Sequence, residues 1–412
     1  MMEFYAYDGF CLCPAGGALP KKVQRVEEPF APPVFLVDRD PRAARGFFAI
    51  DALEELEEAA GPGLLLPIRE AKGGPIASLV KARGATVLNT AFSRAFAVLK
   101  DYRARQSRPL RLTLIGLGDV GGTVLTGLKL LGAGISEIGI FDPNQAQCAR
   151  YEMELNQVLP MEEGAALPKI VPRDAAALFD CDALLFTASR GVPALGANVE
   201  DVRMAQYAAN RDMLASYAAM ARAAGFTGLF AQISDPVDHL SRAVFLQSNT
   251  QRGVFDGSGL LPEQVQGYGL GVMRARALYY ADNLSVDSAS LRAFGPHGQG
   301  LIVANAPNAG YDDALSCKLT TLAAQANLRV RALGFKPYIA PGLSSACVSV
   351  LKTLRGEWHD GAIPLGGAYF GCRARFTPNG LRQFREPLCE TLFARIQKTY
   401  TDLKEFDYGC CP

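Results

Sequence analysis

Three sets of residues in this 412-residue chain have the types and spacing to do chemistry. The first is Gly116-Leu117-Gly118-Asp119-Val120-Gly121, which follows the apolar run LTLI and opens into VGGTVLTGLKLLG. In a G-x-G-x-x-G so placed, Gly116 permits a tight turn, Gly118 lets backbone approach a pyrophosphate, and Gly121 lets helix and strand pack closely. The diphosphate then rests on the positive N-terminal end of the helix, where unpaired N–H groups point at it. Asp142 ends the next strand-like run. A carboxylate there accepts hydrogen bonds from both ribose hydroxyls and repels a 2′-phosphate, so NAD is expected rather than NADP. No G-K-[ST] follows the glycines, which excludes a P-loop. The second set centres on His297 in Gly295-Pro296-His297-Gly298, one of three histidines with His239 and His359. A histidine among glycines in a loop is suited to general acid/base work, whereas His239 reads as helix packing and His359 as a loop residue without a clear task. The third set is Cys11-x-Cys13 and the vicinal Cys410-Cys411. Neither pair has the C-x-x-C spacing of a zinc knuckle, so no metal is expected and both are read as thiols.

The elements that must position these residues change character near Leu110. From there RLTLIG, SEIGIFD, ALLFTAS at 183–189 and GLFAQIS at 228–234 are strands spaced to leave room for helices between them. That alternation predicts βαβ units and a doubly wound parallel sheet of Rossmann type. The expected division is an N-terminal extension over 1–108, an NAD-binding domain over 109–256, and an α+β catalytic domain over 257–412. Within the extension, PVFLVD at 33–38 and GLLLPI at 63–68 read as strands. DALEELEEAA at 51–60 reads as a helix with a solvated Glu face, and 91–105 as a second helix. The extension is therefore a small α/β unit, with a role in covering the sheet, oligomerisation or partner binding all left open.

Bulk composition narrows the function classes. Hydrophobic residues make up 49% and charged residues 20%, the balance of a globular protein. Forty-two Lys and Arg against 41 Asp and Glu give a net charge of +1, and no basic block marks a nucleic-acid surface. No run approaches the ~20 apolar residues of a membrane span. The N-terminus lacks a basic-then-apolar secretory layout, and ten scattered Cys fit free thiols, so a cytoplasmic setting is expected.

Read in order, IGLGDVGG, FTAS, ISDPVD at 233–238, GYGLGVMRAR at 267–276 and GPHGQG at 295–300 resemble five motifs of the lactate/malate dehydrogenase family, over residues 110 to 400. The first 108 residues have no counterpart there. The resemblance implies NAD-dependent hydride transfer on a small 2-hydroxy/2-oxo acid, and a homodimer or homotetramer. It puts His297 at the catalytic histidine and Arg276 at the arginine that clamps a substrate carboxylate. Arg203, seven residues before Asn210, falls at the mobile-loop arginine that polarises the carbonyl, in a loop from Gly191 to Arg203 that is about three residues longer than the family pattern. Thr187 and Ala188 fall at the strand end that meets the cofactor, beside Gly116, Gly118, Asp119, Val120, Gly121 and Asp142.

Three departures bear on the chemistry. The carboxylate that orients the family histidine falls at Met273, the asparagine that bonds substrate oxygen falls at Asp235, and the loop position used for dicarboxylates falls at Ala194. Asp235, if beside His297, would supply the missing negative charge, raise the pKa of the histidine and hold it as imidazolium, the acid that carbonyl reduction needs. Asp235 would otherwise repel a substrate carboxylate and select another ligand. The alternative overall reading is a non-catalytic NAD(H)-binding regulatory protein.

Overall fold

The computed structural model describes residues 2–58, 60–69, 73–190 and 204–410. Its N-terminal segment runs β1 (Phe4–Tyr7), β2 (Phe10–Pro14), β3 (Gln24–Val26), β4 (Pro33–Val37), β5 (Phe47–Ile50), α1 (Pro75–Arg83), β6 (Ala85–Asn89) and α2 (Ala95–Arg105). Successive side chains of a strand point to opposite faces, and β2 and β4 show the consequence. Phe10, Leu12, Val34 and Leu36 join a cluster shared with Phe186, Phe230 and Val265 of the central region. Cys11, Cys13, Phe35 and Val37 face the other way, onto Phe48, Ile50 and Val80. Cys11 and Cys13 are thus core residues of one face, and burial pushes the Cys13 thiol up to about 12. Cys410 packs on the opposite cluster, and Cys411 lies outside the described residues.

The central elements are β7 (Leu110–Ile115), α3 (Asp119–Leu131), β8 (Ile135–Phe141), α4 (Gln145–Asn156), β9 (Lys169–Pro172), β10 (Ala183–Phe186), α5 (Tyr207–Ala223), β11 (Leu229–Gln232) and α6 (Val237–Ser248). A short hairpin of β12 (Thr250–Gln251) and β13 (Val254–Phe255) leads to β14 (Val265–Gly267). The strands pair in parallel in the order β9-β8-β7-β10-β11-β14. This is the six-stranded doubly wound order expected of a dinucleotide-binding sheet, reversing direction between β7 and β10. Its strands read as near-continuous apolar runs because helices cover both faces. Leu112, Leu114, Leu185 and Ala231 pack toward α3, while Ile115, Leu184, Phe186 and Phe230 pack toward α5 and α6.

The chain then forms α7 (Leu270–Asn283), β15 (Arg292–Phe294), β16 (Ile302–Ala304), α8 (Asp313–Ala332) and a π-helical stretch, Pro341–Val348, continuing as α9 (Ser349–Leu354). It ends in β17 (His359–Pro364), β18 (Tyr369–Thr377), β19 (Gly380–Gln383) and α10 (Glu390–Glu405). Apolar residues at helical spacing on α10, Leu392, Ile396, Tyr400 and Leu403, bury against the β17–β18–β19 meander. Two narrow pairings, Gly267 with Ala362 and Phe48 with Leu381, join the three groups of strands into one 15-stranded sheet among the described residues, with β12–β13 and β15–β16 pairing apart from it. No helix among the described residues is long and apolar enough to cross a membrane.

Local sequence misled in three places. GLLLPI forms a 3-10 turn at Pro62–Leu65 instead of a strand, because Leu64 and Leu65 insert into the C-terminal cluster. The acidic run forms only one 3-10 turn, Leu53–Leu56, and one of its glutamates, Glu55, is not solvated. Glu55 is 1% exposed, accepts from the Asp51 and Ala52 N–H groups, and pairs with Arg382 (3.3 Å) and Arg385 (3.1 Å). His359 begins a strand, fully enclosed and stacked on Tyr268, with burial lowering its pKa to about 4.

Candidate active site

At the carboxyl end of β7 the three glycines have different reasons to be glycine. Gly116 has φ +95°, and a Cβ there would lie 2.6 Å from the Ala188 nitrogen. A Cβ on Gly121 would lie 1.9 Å from the Gly116 oxygen, so helix and turn touch backbone to backbone. Gly118 has an ordinary extended conformation (φ −72°), and nothing lies within 4 Å of where its Cβ would be. The fold therefore needs Gly116 and Gly121, whereas the space kept open at Gly118 is at the mouth of α3, where a diphosphate would meet the helix N-terminus. The residues present fit NAD(H).

Thr187 Oγ1 lies 2.7 Å from the Gly116 carbonyl and 2.9 Å from that of Ile115, bracing the turn from the end of β10. Asp142 sits at the carboxyl end of β8, where its Oδ2 accepts from the Leu117 N–H (2.8 Å) and its Oδ1 from that of Asn144 (2.9 Å). It ties the glycine turn to the neighbouring strand, and each carboxylate oxygen retains a lone pair for a ribose hydroxyl. Asp119 is exposed and paired with Lys336 at 3.0 Å, and Val120 packs on the cluster beneath α3.

His297 lies in the loop joining β15 to β16. Its backbone N–H donates to Asp238 Oδ2 (2.8 Å), and the Gly295 N–H donates to the Gly371 carbonyl (2.8 Å), which fixes the loop against α6 and β18. The imidazole is 8% exposed, and its Nδ1 lies 3.1 Å from Asp235 Oδ1. Asp235 comes from the turn between β11 and α6, so the two groups meet from separate elements of the chain. On the other side, Gly269 at the start of α7 approaches closely: a Cβ there would lie 2.5 Å from the His297 Cβ. Met273, one turn along α7, is fully buried among Leu270, Leu291 and Val303. Arg276 follows on α7, half-buried, with Nη1 3.6 Å from the Met273 sulfur. Arg203 and Ala194, with the rest of the loop from Gly191, lie outside the described residues.

Sequence reading assigned no task to several residues that build this site. Asp238, in the first turn of α6, is enclosed, and burial raises its carboxyl to about 7, with Asp235 adding to the shift and the His297 N–H opposing it. Asn210 is fully buried, donates to the Asp235 carbonyl (2.7 Å) and accepts from the Arg190 N–H (2.7 Å), tying together the turns after β10 and β11. Ser234 Oγ reaches the Ala188 carbonyl. The signal for Asp238 was its place three residues after Asp235, at a helix start. Nothing local marked Asn210, whose partners are about a helix length away in sequence. A cavity of about 280 Å³ borders His297 and Asp238 and is lined also by Thr399 and Phe406. His239 lines it too, its ring 4.6 Å from that of Phe406.

No protein-family model matches the chain, and no curated protein matches it. Solved structures do. A lactate dehydrogenase from a Medee basin deep-sea metagenome library is 16% identical with a TM-score of 0.57, covering 72% of this chain and 98% of that one. The malate dehydrogenase from Archaeoglobus fulgidus in complex with NADH is 16% identical with a TM-score of 0.57, covering 72% and 97%. The lactate dehydrogenase from Cryptosporidium parvum, complexed with lactic acid and nicotinamide adenine dinucleotide, is 15% identical with a TM-score of 0.56, covering 71% and 95%. Over that share of its length, and with a further segment outside it, the chain has the fold of the lactate and malate dehydrogenases.

Proposed function

We propose that the protein is an NAD(H)-dependent oxidoreductase acting on a small 2-hydroxy/2-oxo acid. The observation that carries this reading is the approach of Asp235 to His297, 3.1 Å between Oδ1 and Nδ1. A carboxylate at that distance favours the imidazolium and orients the ring, which supports its use as a proton donor despite Met273. The Gly116–Gly121 turn, Thr187, Ala188 and Asp142 would hold NAD(H), which would supply or accept the hydride. His297 gives a proton to the carbonyl oxygen in reduction and takes it back in oxidation. Arg276 binds the substrate carboxylate through its guanidinium fork, and Arg203 polarises the carbonyl from the loop before α5.

The fully buried Met273 favours a second reading, an NAD(H)-binding regulatory protein, because the helix that would bring a carboxylate to the histidine brings a thioether. NADH oxidation against a panel of 2-oxo acids, with His297→Asn alongside, separates the two. Turnover with one acid, reduced about 100-fold or more in the variant, is expected. Tight NADH binding without turnover would establish the second reading.

A further inference from the structure

A second cavity is far from His297. It measures about 640 Å³ and lies where α2, the β18–β19 turn and the amino ends of β7, β10, β11 and β14 converge. The glycine turn lies at the carboxyl end of β7, so the length of that strand, ~20 Å, separates the two places. One wall is aromatic: Tyr102 packs against Phe47 (ring centroids 5.0 Å) and Phe376 (5.5 Å).

The charged groups around it are unevenly committed. Asp182 holds Arg108 at 2.6 Å, and Glu263 accepts from the Gly46 and Phe47 N–H groups. Arg105 is directed at the carbonyls of Asp182 (3.3 Å) and Thr227 (2.9 Å), and Arg355, at the rim, at that of Leu131. Arg375 differs. Among the described residues its side chain makes no hydrogen bond or ion pair, its Nε is buried without a partner, and its half-buried guanidinium rests 4.6 Å from the centroid of Trp358. A buried N–H left unmatched is costly unless an acceptor arrives.

We propose that this cavity binds a small aromatic carboxylate, its ring on the Phe47–Tyr102–Phe376 wall and its carboxylate on Arg375. The volume falls within the range of small-molecule sites, and an arginine fork matches a carboxylate bidentately. Three parts of the chain line the site, the N-terminal segment, the parallel sheet and the C-terminal meander, so a ligand there would couple them. The proposal does not rest on hydride transfer.

Trp358 is the only tryptophan in the chain and touches Arg375, so its fluorescence reports occupancy. The full chain is titrated with 3-phenylpropionate and, separately, with the uncharged 3-phenylpropionamide. The expected result is a saturable change in Trp358 emission, with the acid binding about tenfold or more tighter than the amide. Arg375→Gln abolishes that preference, Arg375→Lys retains part of it, and calorimetry shows the acid still binding at saturating NADH. Equal binding of acid and amide, an unaltered preference in Arg375→Gln, displacement by NADH, or no saturation at millimolar concentration would each overturn the proposal.

Discussion

Gly118 and Gly121 are three residues apart in one motif and answer to different masters. Gly121 is held by packing, with 1.9 Å between its virtual Cβ and the Gly116 oxygen, while Gly118 faces open space. Gly121→Ala is therefore expected to lower thermal stability. Gly118→Ala is expected to leave the melting temperature unchanged and weaken NADH binding about tenfold, measured by NADH fluorescence; unaltered affinity would detach the turn from the cofactor. Asp238 makes a second residue-scale prediction. Burial raises its carboxyl to about 7 from 3.8, so the fold favours the protonated form. The associated stability is fully present below the unfolded value and is lost as pH rises from about 4 to about 7. Glu263, also raised to about 7, acts in the same direction. Asp238→Asn should flatten part of that decline in melts at pH 5 and pH 8, since the amide oxygen still accepts from the His297 N–H. The glycine spacing and the lone His297 were legible in sequence because their chemistry is local. The environment of Asp238 was not, because its enclosure depends on a loop 59 positions away.

Elements with a continuous apolar run were legible as well. PVFLVD and the runs of the parallel sheet became strands where their pattern said they would, since a short apolar run bounded by turn residues and buried on both faces leaves little choice. GLLLPI and DALEELEEAA were misread because tertiary partners decided them. Leu64 and Leu65 serve a core built mainly from β18, β19 and α10, and Glu55 meets arginines more than 320 residues later. The 3-10 turn at Leu53–Leu56 is in effect a clasp. Arg385, 9% exposed, pairs with both Glu55 and Glu58, and Arg382 with Glu55 and Asp51. Arg385→Ala leaves the buried Glu55 with Arg382 alone and should cost about 1–3 kcal/mol in denaturant unfolding. A loss below about 1 kcal/mol would mean that the clasp is solvated and incidental.

Over 72% of its length the molecule has the fold of the lactate and malate dehydrogenases, and its sheet continues into six N-terminal strands through the Phe48–Leu381 pairing. Sequence could not foresee that continuity, because one residue pair and a shared apolar cluster make it, with no motif of their own. The same scale shows where the charge beside His297 comes from. The helix beginning at Leu270 presents Met273, and negative charge reaches His297 from Asp235, at the turn after β11. If that pairing sustains the proposed chemistry, reduction of a 2-oxo acid needs a protonated His297 and falls away as pH rises past its titration. The most direct test is the pH profile of NADH-dependent 2-oxo acid reduction in the native protein and in Asp235→Asn. The account predicts turnover in the native protein and a high-pH decline that shifts to lower pH in the variant. An identical decline in both, or no reduction by the native protein at any pH, would contradict it.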